Sequence, residues 1–555
     1  MAIAENCEVL IVGGGPCGLM LANELGRRGV RLVLVDAKPS TAFSPQANAT
    51  QARTMEHFRR LGFADEIRAL GLPPEFPTDV AYFTRYARHE LARFALPSSS
   101  QARSRVTGLD GSWSAAELPH RVSQKFVEAV LRRRAELLPD VSINYGWRMI
   151  SFEADDDRVD TIVECVASGL RRRIKSKYLV GADGPRSSVR EALGFNYQGE
   201  AGTIRDFMGG PMQAVYLRAP DFYQAVPHPP AWMNVTFNRE RRALLAAVDG
   251  KGEFAFHTQL KASEKPEAVN DAGALAMFQA AVGLPIAAEI LSRGTWTAGY
   301  TLVADSFQRG RVFLAGDAVH LFTPTGGLGY NTAVEDAVNL GWKLAATLRG
   351  YGGPGLLLSY ETERRPLAIR NTGFARQFAD SLGRFEPVAE IEDDSAAGAN
   401  ARRTAGAHFN AHARAEFNIP GVTFGGRYDG SSVIATDGTR LPADSANSYC
   451  PSACPGGRPP HAWLSDGRSL FDAFGFEWTL LRLGREPPAC EALLAEAGRI
   501  GADIRVIDVA DDALRDLYQA DLALIRPDQI VAWRGDVIVD AAELLAIVTG
   551  RSALR

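Results

Sequence analysis

Val9-Leu-Ile-Val-Gly-Gly-Gly-Pro-Cys-Gly18 decides the fold of this 555-residue chain. Val9 to Val12 is a short apolar run of β-formers, and the glycines follow at once. Leu19, Leu21, Ala22 and Leu25 then share one helical face that stops at Gly29, and a second apolar run, Leu32-Val-Leu-Val35, ends on Asp36. Strand, glycine loop, helix, strand and acid in this order make a complete βαβ unit. Gly13 permits the tight turn out of the strand, Gly15 lets the backbone approach a pyrophosphate, and Gly18 lets the helix pack on the sheet. The helix N-terminus faces the anion, and Asp36 stands at the interval expected for an acid that accepts ribose hydrogen bonds. The unit predicts a dinucleotide-binding α/β domain. It leaves open which dinucleotide, since NAD and FAD use the same physics.

Two later stretches narrow the choice. Tyr178-Leu-Val-Gly-Ala-Asp-Gly-Pro-Arg-Ser-Ser-Val-Arg190 reads as a strand ending in Asp183-Gly184 before a helix start. Arg311-Val-Phe-Leu-Ala-Gly-Asp-Ala-Val-His320 reads as another buried strand, ending in Gly316-Asp317, where a carboxylate can accept bonds from a ribityl hydroxyl. Pro324-Thr-Gly-Gly-Leu-Gly-Tyr-Asn331 follows, and its N–H groups open a long helix with Val334, Val338, Gly341, Ala345 and Leu348 on one face. A helix N-terminus aimed at the N1–C2=O edge of a flavin stabilises negative charge on the reduced ring. Three separated segments therefore predict FAD.

Length suggests two to four domains at roughly 100–200 residues each. Hydrophobic content of 46% and charged content of 23% are those of an ordinary globular protein, and a net charge of -4 argues against binding a phosphate backbone. No stretch approaches the ~18 apolar residues of a membrane span. Met1 to Cys7 runs straight into the first strand, and six cysteines make no disulfide framework, so a reducing, cytoplasmic location is expected. Cys450-Pro-Ser-Ala-Cys454 with His461 has the wrong spacing for zinc, and no metal is expected. Residues 1–190 and 306–400 read as two parts of the dinucleotide domain. Between them, 191–305 reads as a β-rich substrate domain, with runs such as Gln213-Ala-Val-Tyr-Leu-Arg218 and Met233-Asn-Val-Thr-Phe237. Residues 401–422 read as a connecting arm and 423–555 as a further α/β unit.

The Gly13/Gly15/Gly18 loop, Asp36, Asp183-Gly184, Gly316-Asp317 and the run from Pro324 to Lys343 resemble the class A, single-component FAD-dependent aromatic hydroxylases, related to phenol hydroxylase and the polyketide hydroxylases. The resemblance is continuous from about Cys7 to Arg370. Gly456-Gly-Arg-Pro-Pro-His-Ala-Trp-Leu464, Gly467-Arg-Ser-Leu470 and Ile525-Arg-Pro-Asp-Gln-Ile-Val-Ala-Trp533 look like the thioredoxin-like tail of the longer members. That tail lacks a Cys-x-x-Cys, which predicts a structural or dimer-contact role and leaves a homodimer open. The implied fold is α/β: a Rossmann-like FAD domain of the p-hydroxybenzoate hydroxylase type, a β-sheet substrate domain and a thioredoxin-like domain. The implied cofactor contacts are Gly13, Gly15, Pro16, Gly18, Asp36, Lys38, Arg53, Gln124, Asp183, Gly316, Asp317, Pro324, Gly327, Leu328, Gly329 and Asn331. Pro324, Gly326, Gly327 and Leu328 would form the flavin-ring loop, with no side-chain acid or base assigned.

The resemblance implies that NAD(P)H reduces FAD, that dioxygen forms a C4a-hydroperoxyflavin, and that this adduct hydroxylates a phenolic or other electron-rich ring. Baeyer–Villiger, decarboxylative or quinone-forming oxidation on the same scaffold is the nearest alternative, and a non-catalytic FAD-fold escort protein is the alternative from another class. Leu328 and Tyr330 replace the family's usual Gln and Met. Asn48 stands where phenol hydroxylases carry a substrate-activating carboxylate, which argues against activation by a base there. Asn48, Tyr216, Trp232, Phe237 and Phe256 are candidate substrate liners, with His257 beside them. Arg205, Arg218, Arg239, Arg241 and Arg242 are available for an acidic substrate.

Overall fold

The computed structural model describes residues 3–552 apart from 204, 206 and 441. Its central layer is a six-stranded sheet in the order Gln308–Arg309, Val312–Leu314, Tyr178–Gly181, Val9–Val12, Leu32–Asp36, Val141–Tyr145, parallel from Val312–Leu314 onward. The strands Val9–Val12 and Leu32–Asp36 are apolar almost throughout because both of their faces are covered. On one side the Pro16–Gly26 helix packs against the Leu328–Leu348 and Gln124–Glu136 helices. Register fixes the function of this sheet. Val12 lies opposite both Val35 and Gly181, and Gly181 lies opposite Leu314. Gly13, Asp36, Asp183 and Gly316-Asp317 therefore leave four adjacent strands at one carboxyl edge, the place where open α/β sheets bind ligands.

The second sheet has seven strands, in the order Glu289–Ala298, Gly210–Arg218, Glu253–Gln259, Arg242–Ala247, Met233–Phe237, Val80–Phe83, Glu90–Phe94. Two of these strands lie outside the expected 191–305 boundaries. Val80-Ala-Tyr-Phe83 is too short to declare itself in the sequence; it becomes a strand by pairing parallel to Met233–Phe237. One face packs on Phe222 and the Asp271–Val282 helix, with Phe254 against Phe222 and Phe256 against Phe278. The opposite face carries Tyr82, Phe237 and Tyr216. It meets the dinucleotide domain, where Phe126 packs on the cluster around Tyr216.

The 401–422 connecting arm is a correction. Most of it belongs to a 22-residue helix, Ala396–Phe417, whose Phe409 stacks on Tyr82 at 4.7 Å and packs on Phe237 at 4.5 Å. Its buried stripe is Ala405, Gly406, Phe409 and Ala413. Such small residues give a weak hydropathy signal, yet they let the backbone approach: a Cβ on Gly406 would lie 2.4 Å from the Leu91 carbonyl oxygen.

The C-terminal sheet runs Ile504–Val509, Trp478–Leu483, Leu522–Ile525, Val531–Gly535, the first pair parallel and the others antiparallel. A βαβ unit followed by a hairpin and a last helix, Ala541–Val548, is the thioredoxin-like order. No helix among the described residues is long and apolar enough to cross a membrane.

Candidate active site

The three glycines of the first loop differ in what surrounds them. Gly13 has φ +115°, and a Cβ there would sit 2.1 Å from the Ala182 carbonyl oxygen; at Gly18 it would sit 1.9 Å from that of Gly13. Both are demanded by the protein's own packing. A Cβ on Gly15 would meet nothing within 4 Å. Open space lies over the one glycine whose assigned task is to let a ligand approach. Beside it, the Asp36 carboxylate accepts the Gly14 N–H at 2.6 Å and the Lys38 N–H at 2.7 Å, and each oxygen keeps a further lone pair. The Lys38 side chain is exposed, and Tyr145 donates to the Gly14 carbonyl at 2.8 Å.

Asp183 and Asp317 stand on neighbouring strands and are used differently. Asp183 accepts the Ser187 hydroxyl at 2.5 Å and the Ser188 and Val189 N–H groups at 2.8 and 3.3 Å, so its carboxylate serves the following helix turn. Asp317 takes no hydrogen bond to its carboxylate from any described residue. It is exposed to solvent, yet the protein massed around it pushes its carboxyl up and His320 opposes that shift. The turn that presents it is fixed from behind. Buried Asp336 accepts the Gly316 N–H at 3.1 Å, His320 Nε2 at 2.7 Å and Arg364 Nε at 2.7 Å. Burial alone would raise Asp336; His320 and Arg364 hold it below the ordinary carboxylate range.

Pro324 to Asn331 form the third side. Gly326 and Gly327 have φ of +66° and +65°, a left-handed pair that turns the chain into the Leu328–Leu348 helix. No side chain caps that helix, so its first N–H groups remain available. Asn331 accepts the Gln51 N–H at 2.8 Å and donates to the Ala49 carbonyl at 3.0 Å, tying the loop to residues 49–51. The Gly326 N–H donates to Glu416 at 2.8 Å. Pro324 is exposed beside this turn, whereas Leu328 is buried against Phe378 and Val422.

With this geometry in place, comparison with known proteins is informative. Residues 6–375 match the model of an FAD binding domain, and residues 452–551 match the aromatic-ring hydroxylase C-terminal domain. The chain belongs to the FAD-dependent aromatic-ring hydroxylases. The aklavinone 12-hydroxylase RdmE of Streptomyces purpurascens is 32% identical, covering 99% of each chain. The rebeccamycin biosynthetic enzyme RebC with reduced flavin superposes with a TM-score of 0.88 at 32% identity, over 99% of each chain. Aklavinone-11 hydroxylase, in a ternary complex with FAD and aklavinone, superposes at 0.83 with 28% identity, over 99% of this chain and 100% of that one. This hydroxylase is thus a flavin-dependent monooxygenase rather than an escort protein.

Several residues in the hydroxylase stand elsewhere than expected. Arg53 points away from the cleft, into the tail. Its guanidinium donates to Glu56 at 3.0 Å, to Gln529 Oε1 at 3.0 Å and to the carbonyls of Asp528 and Gln529 at 2.8 and 3.1 Å. Gln124 donates to Glu128 at 2.7 Å, and its backbone N–H to the Ala47 carbonyl, beneath the segment that carries Asn48. Phe256 lies on the far side of the sheet against Phe278, because strand alternation puts it with Phe254. Tyr216 faces the dinucleotide domain, but its hydroxyl is held by Lys125 at 2.6 Å and by Glu253. Phe237 is packed among Phe207, Phe385 and Phe409. His257 accepts from Trp296 at 3.1 Å. Trp232 and Asn48 keep contact with the site region: Trp232 packs on Phe417, and the Asn48 Oδ1 is buried with no protein donor.

Sequence reasoning missed Asp336, Arg364, Gln51 and Glu416. A carboxylate inside an apolar helix face, and the His412-to-Glu416 helical spacing, were the available signals.

Proposed function

We propose that this hydroxylase consumes NAD(P)H and dioxygen to place one oxygen atom on a phenolic or other electron-rich ring. The balance is Ar–H + O2 + NAD(P)H + H+ giving Ar–OH + H2O + NAD(P)+. FAD, when bound, supplies the hydride acceptor and the oxygen-activating centre. The observation that carries the reading is a juxtaposition at the carboxyl edge of the parallel sheet. Gly15 with open space and Asp317 with an unused carboxylate lie at one sheet edge, and an uncapped helix N-terminus opens from the glycine turn that follows.

Each residue then has a task. Gly15 and the N-terminus of the Pro16–Gly26 helix receive the pyrophosphate, Asp36 the adenosine ribose and Asp317 the ribityl hydroxyls. Asp183 keeps the neighbouring turn in shape rather than holding ligand. The N–H groups of Gly327 to Gly329 would present partial positive charge to a bound flavin ring. Asn331, Gln51 and Glu416 hold that turn in place. Asn48 offers an acceptor and no base, so a substrate hydroxyl can be oriented there but is not deprotonated by it. The aklavinone hydroxylases among the relatives support a polycyclic phenol as the guest.

The test is NAD(P)H oxidation by FAD-loaded protein against phenols, hydroxybenzoates and hydroxylated polycycles, with product analysis. A ring bearing one new hydroxyl per NAD(P)H is expected. Oxidation that yields only hydrogen peroxide with every ring, or no oxidation at all, would refute the reading.

A further inference from the structure

Arg121 is 7% exposed, and its guanidinium has no ion-pair partner and no hydrogen-bond acceptor among the described residues. It lies over the Trp232 ring at 4.4 Å and within 6.0 Å of the Phe417 ring. Stacking on an aromatic face satisfies the flat side of a guanidinium. The five N–H donors in its plane are left over.

The position is built. The His120 N–H donates to the Thr50 carbonyl at 2.8 Å and the Thr50 N–H to the His120 carbonyl at 2.9 Å, fixing the chain on which Arg121 sits. Ala49, next to Thr50, packs so close to Gly327 that a Cβ there would meet its own at 2.9 Å. Trp232 leads into the substrate sheet, and Phe417 ends the helix that forms the opposite wall. Arg121 therefore stands where sheet, helix and ring loop meet.

Its charge is not answered locally. Glu416 is the carboxylate whose field reaches it, but Glu416 already accepts the Gly326 N–H at 2.8 Å and lies 2.7 Å from His412 Nε2. The arginines singled out in the sequence are engaged or outside. Arg205 pairs with Asp380, Arg218 with Glu253 and Glu289, and Arg241 with Glu264; Arg239 is exposed, and Arg242 lies over the Phe237 ring. An unpaired buried cation opposes folding, and burial pulls Arg121 down to about 10.

We infer that Arg121 is a specificity-determining residue, and that the ring this hydroxylase accepts is an aromatic acid whose carboxylate pairs with the free edge of the Arg121 guanidinium on the face of Trp232. The inference deepens the hydroxylase reading and rests on it. A planar carboxylate matches the fork of the guanidinium.

The test titrates FAD-loaded protein with 3-hydroxy-2-naphthoate and with 2-naphthol, the same ring lacking the carboxylate, following the flavin difference spectrum. The acid is expected to bind at least about tenfold more tightly to the unaltered protein, as a desolvated charge-assisted pair does. Arg121→Met should erase that preference while leaving 2-naphthol binding and FAD content within about twofold, and Arg121→Lys should keep part of it. Equal affinities in the unaltered protein, or a preference that survives Arg121→Met, would overturn the inference. Should Arg121→Met fail to fold, the unaltered protein and Arg121→Lys still decide. Hydroxylation of 2-naphthol without any preference for the acid sinks only the Arg121 assignment; loss of hydroxylation on every ring sinks the hydroxylase reading beneath it.

Discussion

The cleft at the edge of the parallel sheet and the seam between that domain and the C-terminal domain are both charged and share the Leu328–Leu348 helix, yet they are built on opposite rules. At the seam the buried ionic groups are paired with one another. Glu363, buried, accepts Arg526 at 2.7 and 2.9 Å, Lys343 at 2.6 Å, Asn339 at 2.7 Å and Ser431 at 2.7 Å. Arg526 also meets Asp528 at 2.6 and 3.0 Å, and Trp342 packs edge-on against Trp478 at 5.6 Å. Glu56 is closed in the same way by Arg53 and Arg458. At the sheet edge and the ring loop, the Asp317 carboxylate accepts nothing and the Arg121 guanidinium donates nothing among the described residues, and Gly15 faces space. Buried charge as such does not mark a site. An ionic group left without a partner does.

The comparison can be broken at its closed side first. Arg526→Ala strips Glu363 of its bidentate partner and leaves the buried carboxylate with Lys343 as its one remaining cation among the described residues, which should cost about 3–5 kcal/mol of stability. A large fall in Tm is expected, with flavin retained by whatever remains folded. An unchanged Tm would show that the seam carries no such load. Removing the tail would uncover Glu363, Lys343 and Trp342 together.

A pH profile sharpens the same point. Burial holds His120 and His461 down to about 3, with Arg68 and Arg458 adding to the effect. Their folded values lie below the ordinary imidazole value, so the unfolded chain takes up protons first. The stability they contribute is complete above about pH 6.5 and falls as pH drops toward 3. The slope approaches about 1.4 kcal/mol per pH unit for each imidazole. Thermal denaturation between about pH 7.5 and 5 should show Tm falling on the acid side, and a flat profile would contradict the assigned burial.

At the open side, effects on the fold should be small. Asp317→Ala removes a carboxylate that no described residue uses, so the apoprotein should keep its Tm. Its FAD affinity should drop by about 1–3 kcal/mol, the worth of a hydrogen bond to a charged group. Calorimetric titration of apoprotein with FAD checks both halves.

The parallel edge was legible in the sequence because strand, glycine loop and acid are local signals, each within a few residues of the next. Gly13, Gly15, Gly18 and Asp36 needed no partner to be read, and Asp183 and Gly316-Asp317 announced their own strand ends. Everything that depends on distant pairing was hidden. Val80–Phe83 is a strand only beside Met233–Phe237, and the Ala396–Phe417 helix buries alanines that hydropathy hardly registers. Arg53 stands next to the loops yet is claimed by residues 528 and 529 of the tail. Arg121 carries no motif at all; only the absence of an acceptor around it, in three dimensions, sets it apart.

Two glycines of one loop show the contrast at its sharpest. Gly18→Val should fail to fold, since its Cβ would collide with the Gly13 carbonyl, whereas a Cβ on Gly15 has open space around it and Gly15→Val should fold. The decisive measurement is the flavin-to-protein ratio of purified Gly15→Val, alongside its Tm. A folded, colourless protein is the predicted result, and a folded protein carrying full FAD would contradict the claim that the open space over Gly15 is where the pyrophosphate lies.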